Sequence, residues 1–307
     1  MPPRSTCCIQ WKSPQGRSSR VRTSNFFNKA GSPAASTAGD RTDRARAMPW
    51  LRRLLDRTLV APRLKAIERR ILAGPGSIYG ASHYTARALL DALDDHMPSD
   101  QRPRIGHLPV PVDVMSMVPP ERAPRPGVVG FAGRLNDPRK NVIALVEAVA
   151  LARAAAVDVR AILTGADPDP GLRSAVQRLG LAEHVEFLGE VDRPRLQRFY
   201  REIDIFVIPS HQEGLCIAGV EAMACGVPVV STRCGGPEDY VRPDQTGFLV
   251  GSRPEEIAAR ITQIARDRSL RERMSKEARM VAKQEYCPDV YHRNLNAAWR
   301  SIWNEDL

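Results

Sequence analysis

Residues 210–230, SHQEGLCIAGVEAMACGVPVV, constrain this chain more than any other stretch. They follow Asp204-Ile205-Phe206-Val207-Ile208-Pro209, a short apolar run with the length and β-branched content of a buried strand. Next come a loop with Glu213 and Gly214, helix-forming composition over 215–224, a stop at Gly226 and a second buried strand over 227–231. Such a strand–loop–helix–strand unit predicts a parallel sheet. Ligands of parallel sheets sit past the carboxyl ends of the strands, at helix N-termini, where free N–H groups and the dipole favour anions. Glu213 and Glu221 flank that N-terminus. Helical side chains lean toward the N-terminal end, so Glu221 reaches back toward whatever Glu213 faces. Phosphate would repel such a pair, whereas hydroxyls beside an anion suit it, and a sugar attached to a diphosphate offers both. The plainer alternative is a capping-region glutamate and a solvated one; this stretch alone leaves both open.

The alternation continues on either side. Residues 127–133, 158–165, 184–189 and 247–250 read as strands, and 141–155, 171–180, 194–202, 254–267, 269–285 and 289–304 as helices. This pattern predicts an α/β fold, a doubly wound parallel sheet of about six strands. Upstream, 77–82 and 104–110 read as strands around a helix over 83–95. Residues 109–126 hold six prolines, which marks 114–126 as a linker. The expected division is therefore 1–47 as a disordered basic segment, 48–113 as part of another domain, the linker, 127–287 as a Rossmann-like domain and 288–307 as a terminal helix.

Charge is uneven. Residues 1–72 hold 16 Lys/Arg against 4 Asp/Glu, whereas 73–307 hold 29 against 31. The folded part is near neutral, which argues against nucleic acid as its partner. Residues 50–72 form a basic helical stripe broken at Pro62. It fits a peripheral membrane-surface helix or, as the preferred reading, an amphipathic helix packed on a neighbouring part. No secretory signal and no apolar run of membrane-spanning length are present, so the expected location is cytoplasmic, with peripheral contact at the inner membrane face as the variant. Cys216, Cys225 and Cys234 are equally spaced, which matches no zinc pattern; they read as small buried residues with free thiols. Asp167-Pro168-Asp169 sits in a turn after the second strand of the domain and is not expected to hold a metal.

Gly133-Arg134-Leu135 ends the first strand of the domain, with Lys140 six residues after Arg134. A guanidinium fork and an ammonium at the carboxyl edge suit phosphate oxygens. Taken with Glu213 and Glu221 at the equivalent edge, these residues resemble the nucleotide-sugar half of a GT-B glycosyltransferase of family 4, the retaining, glycogen-synthase-like group. The resemblance runs from about residue 127 to 304. It is carried by Gly133-Arg134-Leu135 with Lys140, by Gly165, by Val185-Glu186-Phe187-Leu188-Gly189, by Pro209-Ser210 and by Glu213-Gly214 through Val230. Gly235-Gly236-Pro237-Glu238 and Thr246-Gly247-Phe248-Leu249-Val250 extend it.

The resemblance implies a retaining transferase that moves a hexose from a UDP- or GDP-sugar to a saccharide or lipid-linked acceptor, in bacterial polysaccharide or glycolipid synthesis. It implies that Arg134 and Lys140 neutralise the diphosphate and its leaving-group charge, beside Gly133 and Gly165. Backbone N–H groups of Leu215, Cys216 and Ile217 cap the diphosphate, Glu221 holds the ribose, Glu190 and Val191 border the base, and Glu213 with Gly214 meets the transferred sugar. Glu213, Arg134 and Lys140 are thus the implied catalytic residues, with no metal or cofactor required. Family members usually read Glu-Gly-Phe-Gly where this chain has Glu213-Gly214-Leu215-Cys216, so Cys216 puts a side chain where backbone should approach phosphate. Residues 66–110 resemble the last elements of the family's acceptor domain, most of which is missing. The alternative is therefore a truncated, non-catalytic nucleotide-sugar-binding module.

Overall fold

A computed structural model describes residues 9–12, 18–21, 77–94, 98, 102–121 and 125–303. The chain divides into two units, 1–64 and 65–307. In the first, β1 (Ile9–Lys12) and β2 (Ser18–Val21) pair antiparallel. Both strands fall within 1–47, the segment expected to be disordered; the rest of that segment, and the basic stripe 50–72, lie outside the described residues.

The second unit begins with β3 (Ser77–Gly80), α1 (His83–Asp94) and β4 (Arg104–His107), the two strands pairing in parallel. A six-stranded sheet follows: β5 (Val128–Ala132), β6 (Arg160–Thr164), β7 (Val185–Gly189), β8 (Ile205–Ile208), β9 (Val229–Thr232) and β10 (Gly247–Val250). The intervening helices are α2 (Val142–Ala154), α3 (Pro170–Arg178), α4 (Arg193–Glu202) and α5 (Ile217–Ala224). The chain then continues through α6 (Pro254–Arg266), α7 (Arg268–Glu285) and α8 (Pro288–Trp303).

All pairings in this sheet are parallel, in the order β10-β9-β8-β5-β6-β7. Its two faces are covered by separate apolar clusters. One gathers Leu145, Val149, Ile257 and Ile261 from α2 and α6; the other gathers Phe199, Val220, Met223 and Val281 from α4, α5 and α7. A strand covered on both faces is apolar along its whole length, which is why Ile205-Phe206-Val207-Ile208 does not alternate. Aspartates 169, 192 and 267 cap α3, α4 and α7 by accepting backbone N–H bonds, each cap being worth about 1 kcal/mol. Asp169 Oδ1 accepts the Leu172 N–H at 2.8 Å in this cap. Val112, Val114 and Met117 are buried in the α4–α5–α7 cluster, so the proline-rich stretch lies against the sheet domain before β5 begins.

The strand order fixes where a ligand can sit. The chain leaves β5 toward β6 and β7, then returns to β8 on the other flank of β5. The connections after β5 and β8 therefore run in opposite directions along the sheet, and the carboxyl edge between these two strands is the crevice position that open α/β sheets use for ligands.

Candidate functional site

Both loops at this crevice carry charge, and backbone bonds fasten them together. After β5 the chain makes a turn over Pro138–Lys140, started by Asp137, whose carboxylate accepts the Arg139 N–H. The Arg139 carbonyl then accepts the His211 N–H at 2.7 Å, which ties this turn to the loop after β8. Across that tie the Lys140 ammonium meets Glu213 Oε1 at 2.7 Å. The Ser210 hydroxyl donates to the same oxygen at 2.6 Å. Glu213 is buried, 8% exposed, and Lys140 is largely covered.

Behind this pair the backbone is close-packed. Gly165 has φ +148, and a Cβ there would fall 1.8 Å from the Gly133 carbonyl oxygen. Only a glycine allows the ends of β5 and β6 to meet so closely. Beyond them Gly189 ends β7, its carbonyl accepting the Gly165 N–H at 3.0 Å, and exposed Glu190 and half-buried Val191 follow at the same edge. On the other side Glu213 pairs with Gly235, through Glu213 N–H to the Cys234 carbonyl and Gly236 N–H to the Glu213 carbonyl. A Cβ on Gly236 would stand 2.4 Å from the Gly214 oxygen and from Leu215 Cα, so this glycine lets the two loops touch.

Helix α5 begins at Ile217, two residues later than composition suggests, because Cys216 is left-handed with φ 63. Cys216 gives no side-chain cap, so the first N–H groups of α5 have none. Its carbonyl accepts the Tyr240 hydroxyl at 3.0 Å, and its side chain packs against the buried cluster. Desolvation, with Glu213 nearby, pushes its thiol up to about 12. Leu215 is buried and Ile217 exposed.

One turn into α5, Glu221 Oε2 accepts the Tyr200 hydroxyl at 2.9 Å, and Oε1 lies 3.7 Å from Arg193. Desolvation holds this carboxyl above its ordinary range, with the Tyr200 bond and Arg193 opposing. Arg134 is half-exposed and meets Asp137 at 2.8 Å. Asp137 also receives Arg139, whose guanidinium holds its carboxyl below the usual range.

The geometry thus joins Lys140 directly to Glu213, whereas the sequence reading gave them separate partners. It holds Arg134 on Asp137 and Glu221 on Tyr200. Tyr200, Arg193 and Asp137 escaped the sequence reading, which gave Ser210 a place in the family resemblance but no role. Ser210 had a signal, since it opens the loop after β8 three residues before Glu213. Tyr200 reads as one more apolar residue of a helix stripe, and nothing local marks its hydroxyl.

What the crevice offers is a half-exposed guanidinium, a buried ammonium–carboxylate pair, a helix N-terminus without a side-chain cap and a second carboxylate. These are the groups an anion flanked by hydroxyls needs. Residues 118–281, more than half of the chain, match the family described as Glycosyl transferases group 1. D-inositol 3-phosphate glycosyltransferase of Jonesia denitrificans is 34% identical over 206 residues, covering 64% of this chain and 45% of that protein. Anabaena HepE, solved with UDP and glucose, superposes with a TM-score of 0.62 at 23% identity over 73% of this chain and 63% of that one. The C-terminal domain of the Francisella tularensis group 1 protein LpcC superposes with a TM-score of 0.52 at 24% identity; 58% of this chain covers 99% of that domain. The chain spans less than half the length of the Jonesia relative.

Proposed function

The chain belongs to the glycosyl transferases group 1, and from that membership we propose that its crevice binds a nucleoside-diphosphate sugar and delivers the hexose, with retention, to a saccharide or lipid-linked acceptor. The observation that carries the reading is the Lys140–Glu213 pair at the β5/β8 crevice, beside the uncapped start of α5. The diphosphate occupies the α5 N-terminus, where the dipole contributes roughly 0.3–2 kcal/mol. Arg134 and Lys140 approach its oxygens. As the bond from sugar C1 to the diphosphate oxygen breaks and the acceptor oxygen bonds C1, negative charge grows on the leaving diphosphate, and these two cations meet it. The acceptor's hydroxyl proton departs with the nucleoside diphosphate.

Glu213 accepts hydroxyls of the sugar, its charge otherwise held by Lys140 and Ser210. Glu221 accepts the ribose hydroxyls; charged hydrogen bonds of this kind contribute roughly 1.5–3 kcal/mol each. Glu190 and Val191, at the end of β7, border the base. Gly133, Gly165 and Gly214 bring backbone close to the ligand, with Leu215, Cys216 and Ile217 leading into the helix. The chain's own cations supply the charge this step needs, so the reading includes no metal or cofactor. Among the described residues no helix is long and apolar enough to cross a membrane, and the reading places the protein in the cytoplasm, with 50–72 available for peripheral contact.

One observation favours a second reading. The chain covers 45% of the Jonesia relative, and between the β1–β2 pair and the sheet domain the described residues hold one β3–α1–β4 unit. The second reading is a nucleotide-sugar-binding module that does not turn over. Calorimetry with UDP-glucose and GDP-mannose, followed by sugar release to water and to added saccharides, tests both. Donor binding with turnover supports the transferase, and binding without turnover supports the module. A folded protein with no heat at millimolar donor defeats both.

A further inference from the structure

The turn Gly236–Asp239 meets the β3–α1–β4 unit at a cluster that shares no residue with the donor crevice. His83, the first residue of α1, donates its backbone N–H to Asp239 Oδ2 at 2.7 Å and brings its ring Nδ1 within 3.2 Å of the same oxygen. From β4, His107 Nε2 lies 3.8 Å from that oxygen. The three ligand atoms all lie within 4.8 Å of one another.

His107 Nε2 is buried and has no hydrogen-bond partner. It faces the Asp239 oxygen across 3.8 Å, too long for a direct hydrogen bond, with the His83 ring 3.9 Å away between centroids. A divalent cation among these groups meets all three ligand atoms at once and satisfies the buried nitrogen.

We propose that His83, His107 and Asp239 form a zinc-type divalent cation site that fastens the β3–α1–β4 unit to the Gly236–Asp239 turn. Zinc binds imidazole nitrogen and carboxylate oxygen at about 2.0–2.2 Å, which puts the edges of a tetrahedron at about 3.4 Å. The observed 3.2 and 3.8 Å edges straddle that value. Two neutral imidazoles and a carboxylate suit zinc, and tetrahedral edges favour it over ions that demand six oxygens. The His83 side chain is 74% exposed, so the fourth position opens to water. The ligands come from α1, from β4 and from a turn more than a hundred residues later, so one ion holds all three, with water completing its shell.

The test uses the tag-free full chain, stripped with EDTA and desalted. Zinc uptake is read by competition with a chromophoric chelator, and thermal unfolding is followed with and without zinc. The expected result is one tightly held zinc per chain and a higher Tm. Cobalt in its place should give the intense visible bands of a four-coordinate ion. Two variants preserve the fold: His83→Ala removes an exposed side chain, and Asp239→Asn keeps an oxygen for the His83 N–H. Each should weaken zinc by more than the ~10–100-fold that loss of an outer-shell partner costs, and abolish the Tm gain. No uptake from micromolar zinc overturns the site and leaves a plain His83–Asp239 hydrogen bond. Uptake unchanged in both variants overturns it as well, since cysteine thiols must then be the ligands.

Discussion

The loop ahead of α5 and the second turn of α5 each hold a glutamate, and they hold it by different means. Before the helix, one oxygen of Glu213 receives both the Lys140 ammonium and the Ser210 hydroxyl. Within the helix, Glu221 receives a neutral phenol on one oxygen, while the other faces Arg193 at 3.7 Å, beyond hydrogen-bond length. The first site is a compensated charge pair whose geometry is set before any ligand arrives. The second is a carboxylate short of compensation, its charged form made costly by burial. Two residues of one type, eight positions apart, are thus held differently, although the proposed reading has both accept hydroxyls, of the sugar at Glu213 and of the ribose at Glu221.

The largest effect should come from breaking the compensated pair. Lys140→Ala leaves a carboxylate that is 8% exposed without its cation. Breaking a buried pair from one side costs about 3–5 kcal/mol, the low end applying here because Ser210 keeps its bond. Donor affinity should fall about 100-fold or more, since the diphosphate loses a charge-assisted contact. Lys140→Met with Glu213→Gln should recover most of the stability and none of the affinity. Urea unfolding and calorimetry separate the two readouts. Should Lys140→Ala prove as stable as the parent, the Glu213 site is not a pre-set pair and the contrast with Glu221 collapses.

Next in size is Glu221→Gln. Losing a charged acceptor should weaken UDP-sugar binding by about 10–100-fold, the equivalent of roughly 1.5–3 kcal/mol, with stability unchanged or improved, because the buried charge is removed. That sign is opposite to Lys140→Ala and sharpens the comparison directly.

Tyr200→Phe tests the same carboxylate through pH. The Tyr200 bond lowers the Glu221 pKa against the larger upward push of desolvation. Without it the pKa rises further. Hydroxyl acceptance needs the ionised form, so donor affinity is present above that pKa and lost as pH falls through it. The variant should lose affinity at a higher pH than the parent, and at pH 8 should bind within about 1 kcal/mol of it, one net hydrogen bond. An unshifted binding profile would remove Glu221 from the donor site.

Much of this was legible in the chain, for physical reasons. Strands such as β8 and β10 are short apolar runs bounded by turn residues, so hydrophobic pattern alone delimits them; β10 falls on 247–250 as expected. Parallel order then puts Lys140 and Glu213 at one sheet edge, although 73 positions separate them. Their direct contact was not legible, because it depends on the Arg139–His211 backbone bond between two loops. The Tyr200 hydroxyl on Glu221 was hidden for a related reason. Tyr200 is buried on a helix stripe, where a tyrosine and a phenylalanine give the same pattern.

Cys216 shows the limit most clearly, and its replacement should have the smallest effect. Its position in the sequence suggests a side chain intruding where backbone should meet phosphate. The backbone there is left-handed at φ 63, and the side chain packs against the apolar cluster under α5 without capping the helix. Cys216→Gly removes the cost of a non-glycine residue in the left-handed region, about 1–2 kcal/mol, and loses buried apolar contact and unfolded-state restriction of about the same size. The two should nearly cancel, leaving stability within about 1 kcal/mol and donor affinity within a factor of about three. The thiol itself, pushed up to about 12, should alkylate far more slowly at neutral pH than a free cysteine. A large gain in donor affinity on Cys216→Gly, or rapid alkylation blocked by UDP, would put the sulfur in the mouth of the helix after all and make the start of α5 a more crowded anion site than its geometry describes.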